Sequence, residues 1–180
     1  AIASVEAQEY DGKVCLYVVY RERPGVDDLL STFGRVFAIP STGEEGRNSI
    51  AVKRNIGLSA TTEDLVAFLD DDDVWHPLKL TAQVQAFQER GGVVAVSTRP
   101  TYFTECPNWG VRSGDDDFRD RTRHLVVSGR SFGTSSLLVD GATARALRFD
   151  ERPEWLALED YDFKIRLSRN GLMRELKGKY

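Results

Sequence analysis

Cysteine and histidine are nearly absent from this 180-residue chain, with two of each. Cys15 and Cys106 are too few for a disulfide framework. Neither His76 nor His124 has a Cys or His partner at ligand spacing, so the common zinc sites are excluded. Positive charge is not in excess: 24 Lys+Arg stand against 28 Asp+Glu, a net charge of −4. A dedicated nucleic-acid binder would show a basic face, and this composition disfavours one. Long apolar runs are also missing. The longest, from Val14 to Tyr20, falls far short of the ~20 residues a membrane-spanning helix needs. Two isolated cysteines fit a reducing compartment, so the expectation is a cytoplasmic protein, at most peripheral to a membrane. What is present is ordinary globular composition, 41% hydrophobic and 29% charged, in a length typical of one domain over residues 1–180.

The order of patterns predicts an α/β fold: an open, mostly parallel sheet flanked by helices. A helical stretch through Ile2, Val5 and Ala7 ends near Asp11-Gly12. Val14–Tyr20 is continuously apolar and β-branched, as in a strand buried on both faces. Val36–Ile39 reads as a second strand stopped by Pro40. A helix starts near Asn48 or Ser49 and runs to about Ile56. Leu65–Leu69 is the clearest buried strand. Pro77 precedes a helix whose apolar face is Leu78, Leu80, Val84 and Phe87, ended by Gly91-Gly92. Val93–Ser97 and Ser135–Val139 read as strands, and 99–123 as a long loop. Ala142–Leu147 and Leu158–Arg169 read as helices.

The strand Leu65–Leu69 runs directly into Asp70-Asp71-Asp72-Asp73. Alone, an acidic run is most simply a solvated turn. Its position changes that reading, because open α/β sheets bind ligands at the carboxyl ends of their strands. Four adjacent carboxylates repel one another unless a cation is near. Oxygen ligands suit Mg²⁺ or Mn²⁺, which take one or two protein carboxylates and leave positions for phosphate oxygens. A Ca²⁺ loop of the EF-hand kind fails, since its fifth, sixth and twelfth positions would be Val74, Trp75 and Thr81. A haloacid dehalogenase-like phosphatase is an alternative, on Asp70-x-Asp72-x-Val74 with Gly114-Asp115 and Asp120. Its second motif should follow a buried strand, and here it follows a loop-like stretch.

A wider pattern fits more of the chain. Lys53-Arg54-Asn55-Ile56-Gly57 is followed by the apolar strand, Asp70-x-Asp72, and then Trp75-His76-Pro77-Leu78-Lys79-Leu80. In order and spacing this resembles glycosyltransferase family 2, which has the Rossmann-like GT-A fold. Phe149-Asp150-Glu151 and Glu159-Asp160-Tyr161-Asp162 resemble the family's catalytic-base region. The resemblance implies inverting, metal-dependent transfer of a sugar from a nucleotide-diphosphate donor, a UDP-sugar by preference, to a hydroxyl of a saccharide or glycoconjugate acceptor. It implies Asp160 as catalytic base, Asp72 as metal ligand with Asp70 assisting, and Arg54, Asp70 and Asp71 at the donor. The cofactor implied is a divalent cation, Mn²⁺ or Mg²⁺. Without the resemblance, Glu159-Asp160 would read as acids favouring a helix N-terminus, and Arg54 as a surface arginine.

Two departures accompany the match. The family's sheet begins with an internal strand, and none precedes Ala1, so the expectation is an N-terminally incomplete domain with a gap in its sheet. Where the family places an Asp-Asp turn after its second strand, this chain has Tyr20-Arg21-Glu22-Arg23, with Asp27-Asp28 further on. These departures keep a second reading open: a non-catalytic binding module, or a fragment of a larger enzyme.

Overall fold

The computed structural model describes residues 1–34, 36–41, 49–99, 119–120 and 133–179. The elements are α1 (Ile2–Glu6), β1 (Leu16–Arg21), α2 (Val26–Ser31), β2 (Val36–Ser41), α3 (Ser49–Ala60), β3 (Leu65–Ala67) and α4 (Lys79–Gln88). They continue as β4 (Val93–Arg99), β5 (Arg119–Asp120), β6 (Leu137–Asp140), α5 (Gly141–Leu147), α6 (Glu159–Ser168) and β7 (Leu172–Lys179). None of the described helices is long and apolar enough to cross a membrane.

The strands form two ladders. β1 and β2 pair in parallel, and five strands pair in the order β3-β6-β4-β7-β5. β4 and β7 are parallel, while β6 is antiparallel to both β3 and β4, and β5 is antiparallel to β7. Thus β3, β4 and β7 run one way, with β6 and β5 opposed. The fold is α/β with flanking helices as expected, and its sheet is mixed in direction. No ladder joins β1 to β3 among the described residues. Side chains bridge that interval instead: Glu63, just ahead of β3, accepts hydrogen bonds from Tyr17 Oη at 3.3 Å and from the Cys15 thiol. The Glu63 bond and burial hold the Cys15 thiol pKa up, and the same bond lowers that of Glu63.

Several elements differ from their sequence reading for identifiable reasons. β1 is half-buried, not doubly buried, because among the described residues β2 is its one ladder partner. β2 passes through Pro40, which lies opposite Tyr20; an edge strand tolerates the missing N–H. α3 continues past Gly57 to Ala60, and Gly57 lies against Val19, where an added Cβ would meet Val19 Cγ2 at 3.5 Å. Residues 134–136 form a 3₁₀ turn ahead of β6. Hydroxyl side chains compete with ladder formation there, Ser136 Oγ donating to the Gly133 carbonyl at 2.7 Å. β5 lies within the stretch read as a loop, and α2 and β7 have no counterpart in the sequence reading. Residues 42–48 and nearly all of the long loop lie outside the described residues.

The buried face of α4 is rotated from the expected one. It buries Lys79, Leu80, Gln83 and Ala86, while Leu78 is exposed. Lys79 Nζ donates to Gln83 Oε1 at 2.6 Å and lies 4.1 Å from the Trp75 ring centroid. Gln83 Nε2 donates to the carbonyls of Val96 and Ser136. The polar stripe is therefore satisfied internally, as buried polar groups must be. α1 supports the same turn. Gln8 donates to the His76 carbonyl and accepts from Leu80 N–H at 3.0 Å, filling one of the unpaired donors at the start of α4.

The main core lies between the five-stranded sheet, α3, α5 and α6. Phe68, Phe149 and Phe163 meet at its centre, Phe149 stacked on Phe163 at 4.2 Å and Phe68 edge-on to both. Asn55, 1% exposed, brackets Phe149 in the manner of a strand partner. Its Oδ1 accepts from Phe149 N–H and its Nδ2 donates to Phe149 O, both at 2.8 Å. Nδ2 also donates to Glu151 Oε1 at 2.9 Å.

Two outcomes follow from these buried polar groups. Asn55→Ala leaves the Phe149 N–H and C=O unpaired, and is expected to cost about 2–3 kcal/mol, read as a lower urea midpoint. Burial pulls the Lys79 pKa down to about 7 from 10.5. The unfolded chain then holds the extra proton between those values, so stability rises with pH from about 7 toward 10.5 and the penalty is complete below 7. The stability difference between Lys79→Met and the parent, followed by denaturation from pH 6 to 10, is expected to drift in the parent's favour as pH rises.

Candidate active site

The carboxyl end of β3 delivers Asp70 beside the 3₁₀ turn. Asp70 N–H donates to Ser135 Oγ at 3.0 Å, and the Trp75 indole donates to the Ser135 carbonyl at 2.9 Å. One serine therefore fixes both ends of the acidic turn. The turn closes on itself through Asp73 N–H to Asp70 O at 3.2 Å. Asp71, Asp72 and Asp73 are exposed, while Asp70 is partly covered. Trp75, 9% exposed, is a core residue tied down by Ser4 Oγ and Ser135, not a platform for a ligand.

Arg54 rises from α3 into the space between the acidic turn and α6. Nη2 meets Asp70 Oδ1 at 2.8 Å and Nη1 meets Glu159 Oε1 at 3.1 Å. The guanidinium lies 5.3 Å from the centroid of Phe149. A planar guanidinium suits this bridging role, since its separate N–H groups address two carboxylates at once. The arginine singled out for the donor is thus also the link between the two acidic segments.

α6 begins at Glu159, so Glu159, Asp160 and Asp162 all lie in its first turn, where the helix dipole favours negative charge. Asp160 Oδ2 accepts from Lys164 Nζ at 2.5 Å and from Thr134 Oγ1 at 3.4 Å. Lys164 is fully buried. Burial lowers its pKa, and the adjacent Asp160 carboxylate opposes that shift. Asp162 faces elsewhere: it pairs with Arg166 at 2.6 Å, and Arg166 donates to the Leu147 and Arg148 carbonyls at the end of α5. Asp162 is structural, and Asp160 keeps 27% of its side chain open to solvent.

Asp70, Arg54 and Asp160 are therefore brought to one edge of the sheet, through a turn whose adjacent Thr134 and Ser135 touch one acidic segment each. Asp71 and Asp72 project from the same turn with no hydrogen bond to a described residue. No group of three His, Cys, Asp or Glu among the described residues forms a ready ligand set. The donor chemistry fits a hard divalent cation that takes one or two carboxylates and fills its sphere with phosphate and water. Asp72 fits that role more readily than Asp70, one of whose oxygens is occupied by Arg54. The sequence reading missed Thr134, Ser135 and Lys164. The serine and threonine sit in a strand-like run, and a lysine inside an amphipathic helix gives no signal of burial. Glu159 was legible as part of the segment resembling the family's catalytic-base region, but not as the partner of Arg54. Asp27, well past β1 in sequence, is returned to its end by α2 and accepts a hydrogen bond from Tyr20 Oη. Trp109, His124, Cys106, Gly114 and Asp115 lie outside the described residues.

Comparison with solved structures finds the same fold. A crystal structure of S. aureus TarS, residues 1–349, superposes with a TM-score of 0.74 at 14% identity, covering 99% of this chain and 53% of that one. The same TarS fragment in complex with UDP-GlcNAc matches with a TM-score of 0.72 at 14% identity, over 99% of this chain and 51% of that one. The chain thus spans about half the length of these structures. No curated protein sequence matches it. The sequence profile described as glycosyl transferase family 2 matches residues 2–149, which carry the Arg54–Asn55 helix, the acidic turn and the 3₁₀ turn, and on that match this chain belongs to glycosyl transferase family 2.

Proposed function

We propose that the chain catalyses inverting, metal-dependent transfer of a sugar from a nucleotide-diphosphate donor to an acceptor hydroxyl, in polysaccharide or glycoconjugate synthesis. The observation that carries this reading is the convergence of the Asp70–Asp73 turn and Asp160 on one edge, held by Arg54. UDP is the favoured nucleotide, because TarS structures of the same fold are complexes with UDP and UDP-GlcNAc.

In this reading Asp72, assisted by Asp70, holds Mn²⁺ or Mg²⁺ at the donor diphosphate. The cation, when bound, offsets the negative charge that grows on the leaving diphosphate. Asp71 and the Arg54 side of the turn receive the donor. Asp160 accepts the proton of the acceptor hydroxyl as that oxygen attacks the anomeric carbon. Attack from the face opposite the departing diphosphate inverts the anomeric centre. Asp160 has the exposure this needs, and Thr134 and Lys164 hold the one oxygen they share. A binding-only module is the second reading, favoured by the absence of a ladder between β1 and β3 among the described residues and by Tyr20-Arg21 at the end of β1.

Calorimetric titration with UDP, GDP and TDP, with and without Mn²⁺, tests the donor site. Metal-dependent binding that disappears in Asp72→Ala is the expected result; equal binding by the variant would remove Asp72 from the metal site. Asp160→Asn is expected to retain UDP affinity while UDP release from a UDP-sugar falls by about 10²–10⁴. Metal-dependent binding without turnover by the parent chain selects the binding-module reading.

A further inference from the structure

Among the described residues, Lys164 is the fully buried cation beside Asp160, and the sequence resemblance assigns it nothing. Exposed i,i+4 ion pairs are loose, because both side chains keep their rotamer freedom and water competes for each charge. This pair is different. The Lys164 side chain has no exposure, so its ammonium cannot exchange Asp160 for bulk water. Among the described residues, charges reach it from three elements: Asp160 on its own helix, Arg54 from α3, and Asp70 from the end of β3.

The contacts of Asp160 are one-sided. Both of its hydrogen bonds, from Lys164 Nζ and Thr134 Oγ1, go to Oδ2. Oδ1 takes none from any described residue. A carboxylate tethered by one oxygen has a fixed plane and one oxygen open. That is the arrangement a proton acceptor needs when it must meet an incoming hydroxyl at hydrogen-bond distance.

We propose that Lys164 is a positioning residue for glycosyl transfer: its buried ammonium anchors Oδ2 of Asp160 and so reserves Oδ1 for the proton of the acceptor hydroxyl. The proposal rests on the reading of Asp160 as the base. Lys164 does not touch donor or acceptor. It acts through Asp160, and Thr134 completes the anchor from the 3₁₀ turn. Because the same turn also fixes Asp70 through Ser135, the base is referenced to the donor side of the site and not only to its own helix.

The test uses the full chain, UDP-GlcNAc as probe donor and water as acceptor. In Lys164→Met, kcat for Mn²⁺-dependent UDP release is expected to fall by about 10²-fold, the scale of a misplaced reacting group. The donor KM and the calorimetric affinity for UDP are expected to stay within about twofold, since no donor contact is removed. An unchanged kcat overturns the proposal. So does a loss of UDP affinity parallel to the loss of kcat, which would mark a general structural role. A second measurement does not depend on turnover or on the stability of Lys164→Met. Nitrogen-15 NMR of the lysine ammonium groups is expected to show solvent-protected signals from the buried Lys79 and Lys164, and the one that persists in Lys79→Met is expected to shift in Asp160→Asn while the others hold. Absence of that shift overturns the pairing. A parent chain that binds UDP without releasing it from the donor overturns the transferase reading separately, whatever the lysine signal does.

Discussion

Collecting carboxylates is the constraint on which this structure depends. Asp70 to Asp73 and Glu159-Asp160 come from segments nearly ninety residues apart, and they meet at one edge of the sheet. Like charges at that range repel, and each taken from water loses hydration. Two cations make the arrangement tenable. Arg54 bridges Asp70 to Glu159, and Lys164 pairs with Asp160 from beneath. Asp71 and Asp72 remain exposed on the same turn.

The apolar layer beneath gives those charges fixed positions. Phe68 follows β3, Phe149 precedes Asp150, and Phe163 lies on α6, so the aromatic cluster ties together the three segments that carry the acids. Arg54 lies over Phe149, and its neighbour Asn55 brackets the Phe149 backbone. A single helix turn thereby supplies both the electrostatic link and the main-chain anchor. The 3₁₀ turn makes a second tie of a different kind, through hydroxyls and carbonyls that reach Asp70, Trp75, Gln83 and Asp160. The residues matched by the family include the acidic turn, and the fold is shared with TarS.

Much of the plan was legible in the residues. Apolar runs marked β1, β3 and β4, and the Leu65–Leu69 strand announced the acidic turn that follows it. The helix start at Glu159 was read within one residue. The misreadings share a cause. Of the face assigned by periodicity, Leu80 is buried and Phe87 packs against the core, yet Leu78 is exposed and α4 also buries Lys79 and Gln83. Periodicity scores side-chain type and cannot see that the Trp75 face and the Val96 and Ser136 carbonyls wait to receive polar atoms. Pro40 was read as a stop because a central strand would need its N–H, and β2 has an edge that does not.

By itself, then, the sequence determined the local things: which runs are strands, where the acids cluster, and which order of motifs identifies the family. Those follow from side-chain volume, branching and spacing along a few turns of chain. Only the tertiary structure decided which acids share an edge and which cations stand between them. It also decided that Asp162 turns to Arg166 while Asp160 turns to Lys164. The physical reason is that pairing and burial are set by elements far apart in the chain. The charge on Lys164 has its meaning only once the core has closed around it.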